Sequence, residues 1–196
     1  MKDTAVICYQ KANPPTKAHE QLFKHLRTTA AQLQADPLVF LSQKYDAKQN
    51  PIPFELKAEY LKSVLPIYVC DDPQVENVED VLAFLFNRKY KKVIFIMGLD
   101  HVKEMQDTLD RLNKDKENFN FDEIKVTSFG DHDPDTDIVD SDYSVAKARN
   151  AVLDNDSNAF SKIVLCRNNS DAQKLMSMMR TGIGITEHVT SKWRLV

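Results

Sequence analysis

The chain has 196 residues, a formal net charge of -3, 42% hydrophobic and 28% charged residues. That is the size of one globular domain, or one with an appendage, able to bury a core without disulfide or metal staples. The charge gives no general nucleic-acid footprint, and no apolar run approaches the ~20 residues that span a bilayer.

Residues 4–10 (TAVICYQ) read as a buried strand, too short and too aliphatic for a core helix. A proline-marked loop, 11–17, leads into a helix over 18–34 with Leu22, Phe23, Leu26 and Ala30 at helical spacing. Strand 37–43, helix 54–65, strand 67–70 and helix 78–87 follow. Residues 91–98 (KKVIFIMG) form the clearest buried strand, followed by a helix over 102–114. A fifth strand at 125–130 precedes a helix at 144–153. Residues 157–165 and 170–179 look helical, and 181–196 shows little pattern.

This alternation, with near-continuous apolar strands, predicts an α/β fold: a Rossmann-like parallel sheet with helices on both faces and a C-terminal helical appendage. The division is 1–154 for the α/β domain and 155–196 for the extension and tail. Ligands of such sheets bind outside the carboxyl ends of the strands, so the loops after Gln10, Gln43, Gly98 and Gly130 are the ones to watch. Cys8, Cys70 and Cys166 are far apart and lack C-x-x-C spacing, which reads as free thiols. With no signal-peptide pattern over 1–10, the expected compartment is the cytoplasm.

Two clusters carry chemistry. The first, Asn13-Pro14-Pro15-Thr16-Lys17-Ala18-His19, is a strand–loop–helix corner. A helix start offers backbone N–H groups and a positive dipole end to phosphate, and Thr16 and His19 can donate to the same anion. The same residues also fit a Thr N-cap followed by a surface histidine. The second cluster is Ser144-Val145-Ala146-Lys147-Ala148-Arg149, again after a strand. Ser144 is an N-cap candidate. Two cations in the first turns oppose the macrodipole unless an anion joins them, although a solvated basic face reads the same way.

Taken together, N-P-P-T-K-A-H resembles the (H/T)-x-G-H signature of the nucleotidylyltransferase superfamily, and S-V-A-K-A-R resembles its I-S-S-T-x-x-R signature. Gly98-Leu99-Asp100-His101 looks like the G-x-D loop. The similarity is closest to bacteriophage-type, cytidylyltransferase-like members, in Leu41–Gln43, Asn50-Pro51 and Asp133-Pro134-Asp135. It covers about residues 4–154. The resemblance implies transfer of a nucleoside monophosphate from ATP or CTP to a small phosphorylated acceptor, with Mg²⁺ bridging phosphate oxygens and pyrophosphate leaving. It implies catalytic roles for Thr16, His19, Lys147 and Arg149. Asn13, Pro15, Ala18, Gly98, Asp100 and Ser144 would line the nucleotide; no residue is assigned to the metal. Lys44 and Lys48 are candidates for the acceptor phosphate or plain surface lysines.

Ala18 stands where the family usually carries glycine, Val145 and Ala146 replace small or hydroxylated residues, and His101 replaces a frequent arginine. These departures define the alternative: a decayed relative acting as a nucleotide-binding, structural or partner-binding module. Residues 131–142 space aspartates like a calcium loop, but Thr136 and Asp142 stand where glycine and glutamate are required, so the segment reads as a solvated acidic loop. No P-loop or dinucleotide fingerprint occurs. His25, His132 and His188 lack metal-ligand spacing. Trp193, between Lys192 and Arg194, fits a docking tail for a homo-oligomer or partner, or a packed aromatic.

Overall fold

The structure, a computed structural model, describes residues 2–114, 119–135 and 142–185. Five strands form one sheet: β1 (Thr4–Gln10), β2 (Asp36–Leu41), β3 (Tyr68–Val69), β4 (Lys92–Met97) and β5 (Glu123–Ser128). Every pairing is parallel, in the order β3-β2-β1-β4-β5. Chain order reverses between β1 and β4, so the switch-point crevice opens beyond the carboxyl ends of these two strands.

The helices are α1 (Lys17–Gln32), α2 (Phe54–Val64), α3 (Val78–Asn87), α4 (Val102–Lys114), α5 (Val145–Leu153), α6 (Ser157–Ile163) and α7 (Asn169–Ile183). A single 3₁₀ turn, Leu99–His101, links β4 to α4. Alternation along the strands divides the core in two. Val6, Cys8, Val39, Leu41 and Ile96 face a cluster built with α1, α2, α5, α6 and α7. Ala5, Ile7, Leu38, Phe40, Val93 and Phe95 face the opposite way, toward Val81, Leu82 and Leu85 of α3 and Leu109 of α4. Helices thus cover both faces, and the central strands β1, β2 and β4 are largely apolar on both sides because little of either side meets water, whereas edge strand β5 buries only Val126.

Phe160, Leu175, Met176 and Met179 of the C-terminal helices lie in the same cluster as β1 and β2. An isolated antiparallel bridge pairs Thr16 with Val164, and Leu165 N–H donates to Pro15 O at 3.0 Å. The end of α6 therefore walls one side of the β1–α1 corner. Tyr60 of α2 fixes that wall from below by donating its hydroxyl to Leu165 O at 2.6 Å. Cys8 and Cys70 are buried and Cys166 half-buried, all three as free thiols. No helix of the described residues is long and apolar enough to cross a membrane.

Candidate active site

The β1–α1 corner is buried from Ala12 through Thr16. Thr16, with extended backbone, is the N-cap of α1, and His19 stands three residues later. Thr16 N–H donates to His19 Nδ1 at 3.1 Å, and Thr16 Oγ1 lies 3.0 Å from the same nitrogen. Because an amide N–H can only donate, Nδ1 carries the lone pair, and the neutral ring holds its proton on Nε2. That nitrogen lies 3.1 Å from Asp135 Oδ1. His19 is fully buried, against the surface position that a plain N-cap pattern suggests, with its ring tilted 6.3 Å from Phe23.

Asp135 reaches the corner from far along the chain. Its carboxylate accepts from Lys11 N–H at 2.5 Å and from Ala12 N–H at 2.9 Å, as well as from His19. Burial alone would raise its pKa; the His19 bond and the two amides outweigh burial and hold the carboxyl below the ordinary range. Asp133 takes the opposite shift, raised by burial and then by the charge of Asp135. Gln10 Nε2 donates to Asp133 Oδ2 at 3.2 Å. Gln10 Oε1, at the carboxyl end of β1, is buried with no hydrogen-bond partner among the described residues. Far from being a solvated acidic loop, residues 133–135 cross the switch-point crevice.

Gly98 makes that crossing feasible. A Cβ built there would lie 2.2 Å from Asp133 N and 2.6 Å from His132 C. Asp100 stays on the rim, its Oδ2 3.6 Å from His101 Nε2 and 4.0 Å from His132 Nδ1. Asn13 turns away from the crevice and brackets the loop after β2: Nδ2 donates to Ile52 O at 2.9 Å, and Oδ1 accepts from Ile52 N–H at 3.0 Å. Pro15 contributes its carbonyl to Leu165, and Ala18 is half-buried in the first turn of α1.

The second cluster caps α5 as its sequence predicts, with Ser144 Oγ accepting from Lys147 N–H at 3.1 Å. Val145 and Ala148 are buried, so α5 presents Lys147 and Arg149 on its half-exposed side. Arg149 donates to Gln49 O at 3.2 Å, tying α5 to the loop after β2. Among the described residues no hydrogen bond joins Lys147 or Arg149 to Thr16 or His19. Lys44 and Lys48 are exposed on the same loop.

Lys57, on α2, is the residue that sequence reasoning missed. Its Nζ is buried and donates to Lys11 O at 2.5 Å and Ser42 O at 2.9 Å, joining the ends of β1 and β2. Burial pushes its pKa down to about 8, against the pull of Asp135. The signal was its place on the buried face of α2, in register with Phe54, Ala58 and Leu61.

Neither a scan against protein-family models nor a search of curated proteins found a match. The chemistry therefore rests on the geometry. Two adjacent backbone amides and one imidazole N–H converge on a carboxylate at the carboxyl end of β1, backed by a buried ammonium. Residues 136–141 of the acidic stretch, and the tail with His188 and Trp193, lie outside the described residues.

Proposed function

We propose that the chain is a nucleotidylyltransferase that transfers a nucleoside monophosphate from ATP or CTP to a small phosphorylated acceptor. The observation that carries this reading is the anion held at the β1–α1 corner by Lys11 N–H, Ala12 N–H and His19 Nε2. A crevice at a parallel-sheet switch point, lined with anion donors, suits a phosphate chain. The resemblance of N-P-P-T-K-A-H and S-V-A-K-A-R to the two superfamily signatures supports the same assignment.

In this reaction an oxygen of the acceptor phosphate attacks the α-phosphorus in line. The new O–P bond forms as the bond to the β-phosphate's bridging oxygen breaks, and pyrophosphate leaves. No protein nucleophile is needed, so the work is positioning and charge stabilisation. His19 Nε2–H and the amides of residues 11 and 12 face the phosphates and the leaving pyrophosphate. Lys147 and Arg149 meet the β- and γ-phosphates, where charge builds. Thr16 acts on His19, fixing its tautomer through Nδ1. Mg²⁺ would arrive with the triphosphate and would supply charge neutralisation on the leaving group.

The second reading, a non-catalytic module on the same fold, draws on the burial of Thr16 and the internal bonding of both His19 nitrogens. The two readings part on turnover. Pyrophosphate release should appear with one of the two triphosphates, Mg²⁺ and a panel of phosphorylated acceptors. Lys147→Ala and Arg149→Ala should each lower kcat/KM at least ~100-fold, the order seen when a transition-state charge contact is lost. No release across the panel, from a chain that binds the triphosphate, would favour the module.

A further inference from the structure

The donors around Asp135 form an anion cradle whose parts are fixed without Asp135. Ala12 has φ of 47°, a left-handed conformation that alanine adopts at a cost. It turns the N–H groups of Lys11 and Ala12 to the same side, the arrangement of a backbone nest for anions. Lys57 holds the Lys11 carbonyl, and Thr16 holds His19 with its Nε2 proton outward. All of these residues belong to the β1–α1 corner or to α2. Only the anion comes from elsewhere, 123 or 124 residues along the chain for the two amides.

Holding that anion costs its neighbour. Asp133, half-buried two residues away, accepts from Asp135 N–H at 2.9 Å and has its own carboxyl raised by burial and by the Asp135 charge. The cradle is thus complete without the segment that fills it.

We infer that Asp135 is an internal competitor for the phosphate position at Lys11 N–H, Ala12 N–H and His19 Nε2–H, and that a substrate phosphate displaces it. The inference rests on the nucleotide reading above for the source of the phosphate. Each donor has one hydrogen to give, so carboxylate and phosphate cannot share the subsite. Displacement breaks no covalent bond: one anion leaves the three donors and another enters. Apparent affinity is then lowered by the fraction of chains in which Asp135 is in place.

The test titrates inorganic pyrophosphate, and separately ATP and CTP with Mg²⁺, into the wild type and Asp135→Asn, by calorimetry on the full chain. Asp135→Asn should bind pyrophosphate about tenfold more tightly or better, and adding His19→Ala should abolish the gain. A folded Asp135→Asn that binds pyrophosphate no better than the wild type overturns the inference, even where the wild type binds a nucleotide. Tighter pyrophosphate binding with no response to either nucleotide keeps the subsite and removes the nucleotide reading. Should Asp135→Asn fail to fold, the wild type answers by ¹⁵N-histidine NMR. His19, starting as the Nε2–H tautomer, should shift on adding millimolar pyrophosphate; unmoved His19 signals overturn the inference.

Discussion

Gly98 and Asp133 are in contact across the carboxyl ends of β4 and β5, and the contact admits no side chain. A Cβ on Gly98 would sit 2.2 Å from Asp133 N and 2.6 Å from Asp100 Oδ1. The backbone atoms cannot rotate aside, so the whole 131–135 segment would have to shift. Gly98→Ala should lower stability by about 1–3 kcal/mol, the cost of overpacking a filled site. It should also loosen Asp135 from the corner. Denaturant melts check the first effect, and an altered His19 ¹⁵N signal the second.

Asp133 carries a pKa raised by burial and by Asp135. An acid whose folded pKa lies above its unfolded value stabilises the fold at low pH and loses that contribution as pH rises through the folded pKa. At neutral pH, then, ionised Asp133 works against folding. Asp133→Asn should raise the Tm at pH 7, because the new amide can donate to the unpartnered Gln10 Oε1 once the Gln10 amide turns over. A Tm scan from pH 4 to pH 8 should show wild type and variant converging at the acid end. Asp135 has the opposite sign: its lowered pKa stabilises above the ordinary carboxylate range, and that part is lost as pH falls through the folded value.

Lys57 makes a prediction at the alkaline end. Its folded pKa of about 8 lies below its ordinary 10.5, so between those values the unfolded chain binds more protons. Stability should therefore gain a rising contribution with pH across that window, at roughly 1.4 kcal/mol per pH unit at most. Lys57→Met should lack that rise. It should fall further behind the wild type as pH rises above 8, because the carbonyls of Lys11 and Ser42 have lost a buried donor whose ionisation no longer costs the wild type stability. Paired pH melts of the two chains read both effects.

Gly182 presses α7 against the loop after β2. A Cβ there would lie 1.7 Å from Pro51 O, which is backbone. Gly182→Ala should cost about 1–3 kcal/mol despite alanine's better helix propensity, since overpacking outweighs the ~1 kcal/mol that propensity offers. Gly184→Ala is the control: its φ of 85° makes the left-handed cap of α7, with no atom within 4 Å of an added Cβ. It should act on the cap alone. Thermal melts of both variants separate the two causes.

The fold was legible where pattern and burial agree. Residues 4–10, 78–87 and 102–114 match β1, α3 and α4 end to end, because each is a bounded apolar run or a clean amphipathic helix. β3 shrank from 67–70 to Tyr68–Val69, since only two residues at that sheet edge find partners on β2. α7 runs to Ile183, past the expected 179, because Gly182 sits inside the helix and Gly184 ends it. The site was legible only in its local half. Thr16, His19 and Ser144 announce themselves as helix starts next to strands. Asp135 is marked only by the resemblance, within Asp133-Pro134-Asp135 and with no role, because its partnership with His19 spans 116 residues and its local pattern is one charge in an acidic run. Lys57 could have been found, as a lysine on the buried face of an amphipathic helix.

On the proposed reading, the crevice between β1 and β4 takes a nucleoside triphosphate. The most direct test is a thermal melt with ATP and with CTP, each with and without Mg²⁺. One triphosphate should raise the melting temperature in the presence of Mg²⁺, since a ligand at ~100 times its Kd adds roughly 2.7 kcal/mol to stability. A melting curve unmoved by either triphosphate, up to millimolar concentration and with Asp135→Asn equally silent, would contradict the account.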